Sequence, residues 1–201
     1  MNEHVRDLIE RLDAPQTRGA ARSELIGLRA VELLSALAAG ANAERRKAIL
    51  RVLLELKDAR AEAAFREALD SSDEDIRAIG ATGLHRLGAR DALAACVATI
   101  DDAPDMLHYD ITPSVRALTE MGVPALRAVL PLLDSEDERT RQHAQKVFEQ
   151  VTFGRVTREL DPPPLSNLAR EEWAKLRESN GSYRWDGPRE QRRVAVGLWA
   201  R

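Results

Sequence analysis

The sequence predicts an all-α protein, and two observations carry this prediction. The first is composition: 44% of the 201 residues are hydrophobic but only 4% are aromatic, and charged residues of both signs make up 31%. A chain of this kind, rich in Ala, Leu, Glu and Arg, favours helices. The second is a repeated pair of apolar stripes at helical spacing. Because such a pair cannot bury both stripes on itself, we expect a right-handed α-solenoid of about five stacked pairs.

Residues 72–102 contain the clearest helix pair. An acidic cap at residues 72–74 precedes a first helix, and a turn at residues 87–91 leads into a second helix. The first helix carries the apolar stripe Ile76, Ile79, Gly83, Leu84 and Leu87, and the second carries Leu93, Cys96, Val97 and Ile100. This segment defines the repeating unit.

Arginines near the start of the first helices mark the repeat period. Each is followed by a small or aliphatic residue at +3 and by apolar residues at +7 and +10. The intervals between them are 28, 31 and 64 residues, and the last interval leaves room for one more copy, with Leu118 and Met121 in register. The four are Arg18, Arg46, Arg77 and Arg141. A near-constant period of this length indicates stacked helical repeats.

The repeat pattern and the remaining local signals predict the helices and a division of the chain. Pro113 delays one first helix, and Gly154 is expected to end the last repeat helix. We therefore expect a repeat solenoid over residues 1–153 and a capping segment over residues 154–201, with a stiff proline spacer at 161–164. The predicted helices are 3–13, 15–28, 29–39, 43–57, 59–70, 73–87, 90–101, 112–121, 123–133, 136–151, 165–179 and 190–200. The aromatic residues expected to cover the last repeat are Trp173, Tyr183, Trp185 and Trp199.

Residues 3–153 resemble the short HEAT-like repeats, most closely those of the phycobilisome-lyase type. The resemblance rests on the turns Leu87-Gly88-Ala89-Arg90-Asp91-Ala92-Leu93 and Met121-Gly122-Val123-Pro124-Ala125-Leu126 and on the helix start Asp75-Ile76-Arg77. The tail is similar to the endings of bacterial HEAT-like repeat proteins. The resemblance implies a non-catalytic scaffold or adaptor that binds a partner protein. It also leaves open a bilin-lyase-like or other enzyme-accessory role, and it supplies no catalytic motif.

Two sets of residues are candidates for binding. The register of the second helices predicts a concave surface that grips a partner protein, lined by Glu32, Ser35, Glu62, Arg66, Asp91 and Arg127. The irregular segment between the third and fourth pairs carries the compact cluster His108, Tyr109 and Asp110, which either approaches a ligand or is an ordinary solvated loop.

The other reactive side chains indicate structural roles. We expect the repeat arginines to pair with nearby acids rather than form a basic stripe, with Glu44, Asp73, Asp75, Glu136 and Asp137 as partners. Cys96 lies on an apolar stripe, which predicts a small buried side chain. His85 and His143 are expected on the exposed side of first helices. Since the four histidines fall in four different repeats, we expect no metal site and no cofactor.

Charge and targeting signals limit the partners and the compartment. The formal net charge of −3 argues against a general nucleic-acid or anionic-membrane surface. One alternative stays open, a nucleic-acid-binding protein that uses the basic tail residues Arg184, Arg189, Arg192 and Arg193. The charged N-terminus, the lack of an 18-residue apolar run and the single cysteine predict a cytoplasmic protein, expected to be monomeric and not an enzyme.

Overall fold

The structure, a computed structural model, describes residues 2–159 and 167–201. Within these two ranges the chain forms twelve α-helices and two short 3-10 segments and contains no strand, which confirms the all-α prediction. No helix in the described ranges is both long and apolar enough to cross a membrane. The chain divides into two compact units, Met1–Ala103 and Pro104–Arg201. The predicted division at residue 153 stays a prediction.

The first unit contains one leading helix and three helix pairs. The first helices of the pairs (α2, α4 and α6) pack side by side, and α3 packs on α5. Helices α4 and α6 pack on the second helices of the preceding pairs, α3 and α5, and α6 also packs on its own second helix, α7. Short polar side chains begin two of the first helices: Asn42 accepts from the Arg45 N–H and Asp73 from the Ile76 N–H. The elements are α1 (Asn2–Arg11), α2 (Pro15–Leu28), α3 (Val31–Ala39), α4 (Ala43–Leu56), a 3-10 turn (Ala59–Ala61), α5 (Glu62–Ala68), α6 (Glu74–Leu87) and α7 (Ala92–Ala98).

The closest approach in this unit lies between α5 and α6. Phe65 on α5 is almost fully buried, and its ring and carbonyl oxygen lie against the glycine face of α6. A Cβ atom built at Gly83 would lie 2.4 Å from the Phe65 ring, and one built at Gly80 would lie 2.7 Å from the Phe65 oxygen. These two glycines therefore set how closely the two helices can pack.

The second unit contains two repeat-like first helices and the C-terminal helices. As predicted, its first helix is delayed: α8 begins at Pro113, and the Thr112 hydroxyl accepts from the Val115 N–H. The second helix of this pair ends in a 3-10 segment that contains Pro131. The elements are α8 (Pro113–Met121), α9 (Val123–Val129), the 3-10 segment (Leu130–Asp134), α10 (Glu138–Glu159), α11 (Asn167–Ser179) and α12 (Arg189–Trp199).

The expected end of the last repeat helix is wrong. Helix α10 continues through Gly154 to Glu159, and Gly154 does not adopt the left-handed conformation of a C-cap glycine. Packing explains the extension, since Phe153 meets the edge of Trp173 on α11 with ring centroids 5.7 Å apart. The proline spacer at 161–164 and the first two residues of the helix predicted at 165–179 lie outside the described residues.

Candidate protein-binding surfaces

Three of the four repeat arginines, Arg18, Arg77 and Arg141, attach the start of a first helix to the turn before it. The Arg77 Nη1 donates to the carbonyl oxygens of Ser71 and Ser72 at 3.0 and 3.1 Å. Its Nε and Nη2 donate to the two carboxylate oxygens of Asp102 at 2.8 and 2.6 Å. This bidentate pair raises the pKa of Arg77 and ties the segment after α7 to the start of α6 within the same helix pair.

Two other repeat arginines make the same hydrogen bonds, to the backbone carbonyl oxygens of the residues six and five positions before them. Arg18 donates to the carbonyl oxygens of Leu12 and Asp13, and Arg141 donates to those of Ser135 and Glu136. These arginines have structural contacts, but apart from the electrostatic interaction of Asp73 with Arg77, the acids named from the sequence are not their partners. Backbone carbonyls at the preceding turn take that place, because the arginine side chain folds back toward its own N-terminus.

The predicted second-helix surface carries a ladder of ion pairs in the first unit. Glu32 on α3 accepts from Arg60 at 2.5 Å, and Arg60 also binds both carboxylate oxygens of Asp58. The guanidinium of Arg60 holds the pKa of the Asp58 carboxyl far below its usual range. The acid predicted to face a partner is therefore already neutralised by the next repeat.

The next step of the ladder joins three of the predicted positions. Arg66 binds Glu62 at 2.7 Å within α5 and reaches Asp91 at the start of the following second helix. The hydrogen bond from Arg66 lowers the pKa of Asp91. A partner that used these side chains would first have to break exposed ion pairs, each of which contributes little stability, roughly 0–1 kcal/mol.

The other two residues predicted to line this surface, Ser35 and Arg127, are not part of the ion-pair ladder. The Ser35 hydroxyl oxygen is buried and has no hydrogen-bond partner in the part of the chain that the structure describes. Arg127 on α9 in the second unit is exposed. Among the six predicted residues, Arg127 is the exposed cation that the ladder leaves available.

The irregular segment before α8 is held closed by its own hydrogen bonds. The Asp105 N–H donates to the Ile111 carbonyl at 2.9 Å, and the Ile111 N–H donates to the His108 carbonyl at 2.8 Å. The Asp105 carboxylate accepts from the N–H groups of Leu107 and His108, which lowers its pKa. This loop is a structured turn and not an extended linker.

Two side chains of α10 fasten the same loop. The ring Nε2 of His143 lies 2.8 Å from the Tyr109 carbonyl oxygen, and the Lys146 ammonium binds the Asp110 carboxylate at 2.6 Å. His143 is buried, so its predicted exposure is wrong, because the loop returns over α10 and covers it. His108 and Asp110 therefore serve the loop's own contacts.

Three large apolar side chains project from this fastened loop into solvent. Met106 is 85% exposed, Leu107 86% and Tyr109 69%. We call these three residues, Met106, Leu107 and Tyr109, the apolar loop tip. Sequence reasoning selected Tyr109 but not Met106 or Leu107, although adjacent Met and Leu in a proline-bounded loop were the available signal. An ordered backbone that holds apolar side chains outward is typical of a binding surface.

The C-terminal aromatics pack on α10 and its neighbours. The buried Tyr183 hydroxyl donates to the Leu133 carbonyl at 2.7 Å, and burial raises its pKa to about 12. Trp173 donates to the Thr152 hydroxyl at 3.2 Å. Trp199 meets the Phe148 ring edge-on with centroids 5.6 Å apart. These side chains border a very small, mainly apolar gap of about 20 Å³.

Trp185 contacts the same region through its backbone. Its carbonyl oxygen accepts from the Arg141 Nε at 2.9 Å, and its N–H donates to Gln145 at 2.8 Å. The carbonyl therefore binds Arg141 as the Asp102 carboxylate binds Arg77. The tail thus supplies an oxygen atom that binds Arg141.

The basic tail residues are engaged with acids or carbonyls. Arg184 binds both oxygens of Asp186, and Arg189 binds Glu136 at 2.8 Å. Arg193 lies 3.6 Å from Asp134, and Arg192 donates to the Gly187 carbonyl. This local neutralisation gives no observation in favour of nucleic-acid binding.

Reactive groups do not converge in the described part of the chain. Cys96 is fully buried, as predicted, and within the described residues no group of three or more His, Cys, Asp or Glu is placed to hold a metal ion. A comparison with protein-family models finds no matching family, and a search of curated proteins finds no significant match.

Proposed function

We propose that this protein is a non-catalytic interaction scaffold built from HEAT-like repeats. Side-by-side packing of α2, α4 and α6 supports a solenoid, as do the arginine anchors and the ion-pair ladder between consecutive second helices. The contact between Arg141 and the Trp185 carbonyl supports a capping role for the aromatic tail. A stacked array of this type presents long surfaces to partner proteins.

The apolar loop tip is the observation that carries this proposal. Solvent exposure of three large apolar side chains is unfavourable unless a partner covers them, and burial of each contributes about 1.5–3 kcal/mol. The loop is already ordered by Asp105, His143 and Lys146, so binding costs little further ordering of its backbone. Met and Tyr are both enriched at protein interfaces.

Affinity purification with matched surface variants tests the proposal. The tagged protein is compared with a triple serine variant of the apolar loop tip and with Val194→Ser, which removes an apolar side chain that is 61% exposed elsewhere. We expect a stoichiometric protein partner that is lost with the triple variant and retained with Val194→Ser. Far-UV circular dichroism checks that all variants stay folded.

The second-helix surface is examined by the same experiment. Arg127→Glu reverses the exposed cation on α9 without breaking an ion pair. Loss of the same partner with this variant would extend the interface to the predicted concave surface. Recovery of a tetrapyrrole or of nucleic acid instead of a protein, unaffected by the triple variant, would refute the scaffold proposal.

A further inference from the structure

The repeat arginines share a second contact that one of them lacks. Besides holding the preceding turn, Arg77 binds the carboxylate of Asp102, and Arg141 binds the Trp185 carbonyl. Arg46 donates to a carboxylate oxygen of Glu67 at 3.2 Å. In each of these three cases, an oxygen atom from later in the chain accepts a hydrogen bond from the arginine.

Arg18 receives no such oxygen. Its hydrogen bonds go to the carbonyls of Leu12 and Asp13, at 2.8 and 3.3 Å, and to no carboxylate of the described residues. Next to Arg18 the structure has an open cleft of about 430 Å³, between the end of α1, α2 and the start of α4. That volume is in the range of small-ligand sites.

Two more arginines line the cleft. Arg22 on α2 is paired with Glu55, whereas Arg51 on α4 is exposed and has no ion-pair partner in the described residues. Within the described residues neither Arg18 nor Arg51 forms an ion pair, although the charge of Arg18 contributes to lowering the pKa of the nearby Asp13 carboxyl. Guanidinium groups bind carboxylates through paired hydrogen bonds.

The acids of the cleft have ion-pair partners of their own. The Asp13 carboxylate binds Arg45 at 2.5 Å, and this hydrogen bond is the main reason that its pKa is lowered. The Glu44 carboxylate binds Lys47 at 2.6 Å, an ammonium group that Asp73 and Asp75 share. The lining of the cleft contains three arginines, Arg18, Arg22 and Arg51, and two acids, Asp13 and Glu44, so its charge is slightly positive.

We propose that this cleft binds an acidic peptide segment of a partner protein, with Arg18 and Arg51 each binding one carboxylate. A carboxylate of the bound peptide accepts hydrogen bonds from Arg18 in the way that the Asp102 carboxylate accepts them from Arg77. A short peptide fits better than nucleic acid, because two arginines without an ion pair can bind two carboxylates, whereas nucleic acid binding uses an extended run of cations along the phosphate backbone. This inference rests on the scaffold function and names the chemistry of a partner.

Fluorescence anisotropy with the purified full-length protein tests the inference. The probes are a fluorescein-labelled peptide of alternating Asp and Glu and a matched peptide of Asn and Gln, at low ionic strength. We expect only the acidic peptide to bind. Arg51→Glu should weaken binding by roughly tenfold or more, since it replaces a charge-assisted contact by repulsion.

The control is Arg86→Glu, which makes the same charge change at an exposed arginine on α6 in the same unit. It should leave peptide binding unchanged. Arg18→Gln should weaken binding as Arg51→Glu does, and far-UV circular dichroism verifies its fold, since Arg18 also holds the preceding turn.

Three results would overturn the inference: no binding of the acidic peptide to the wild-type protein, equal loss with Arg86→Glu and Arg51→Glu, or tighter binding of duplex DNA that Arg51→Glu abolishes. These results are independent of the apolar loop tip. A scaffold that retains its partner through the loop but fails to bind the acidic probe refutes the cleft alone.

Discussion

Replacing Gly83 by alanine should destabilise the first unit, although alanine is the better helix former. In an open helix the change contributes about 1 kcal/mol of stability. Here the new Cβ would lie 2.4 Å from the Phe65 ring, whereas carbon atoms at optimal separation are about 3.5–4.0 Å apart. The ring or helix α5 must move by about 1 Å, at an overpacking cost of about 1–3 kcal/mol.

The two effects combine to a predicted net loss of up to about 2 kcal/mol in the free energy of unfolding. Urea denaturation followed by far-UV circular dichroism measures this loss. Tryptophan fluorescence does not report on it directly, because Trp173, Trp185 and Trp199 all lie in the second unit. The unfolding midpoint of the first unit is therefore the quantity to compare.

Gly19→Ala is the matched control, since Gly19 is also helical but nothing lies within 4 Å of an added Cβ. It should stabilise the protein by about 1 kcal/mol. In a double-mutant cycle, Phe65→Leu should reduce the cost of Gly83→Ala, because the smaller side chain leaves room. Stabilisation by Gly83→Ala, or a cost unchanged in the Phe65→Leu background, would refute the packing argument.

Further predictions concern a buried hydrogen bond, the pH dependence of stability, a buried ion pair and backbone strain. Tyr183→Phe leaves the buried Leu133 carbonyl unpaired, and tryptophan-monitored urea denaturation should show a loss of about 1–3 kcal/mol. Because the folded-state pKa of Tyr183 is about 12, above the usual 10, wild-type stability should fall between pH 10 and 12, and Tyr183→Phe should weaken that fall. Arg77→Met leaves the Asp102 carboxylate buried and unpaired, which should cost about 3 kcal/mol by circular dichroism. Lys57→Gly at the left-handed C-cap of α4 should raise the thermal midpoint, since removal of strain worth about 1–2 kcal/mol exceeds the entropic cost of glycine.

Features that depend on local spacing were predictable from the sequence. The helix pairs follow from apolar periodicity, the delayed start of α8 follows from Pro113, and the burial of Cys96 follows from its place on a stripe. Each of these is determined by residues within one or two turns of the chain.

Features that depend on distant segments were not predictable in this way. His143 is buried only because the loop at Tyr109 returns over it, and Gly154 stays helical because Phe153 packs on Trp173. The arginine anchors were assigned to acidic partners because backbone carbonyls leave no signature in a sequence. The apolar loop tip lacks any periodicity, so only its exposure in three dimensions distinguishes it.

The arginine anchors have a consequence for how such a chain can change in evolution. Arg18, Arg77 and Arg141 grip peptide carbonyls, which every amino acid possesses, so the anchor itself places no demand on which residues form the turn. The side chains of these turns can therefore change without loss of the arginine hydrogen bonds, as long as the turn backbone keeps its path.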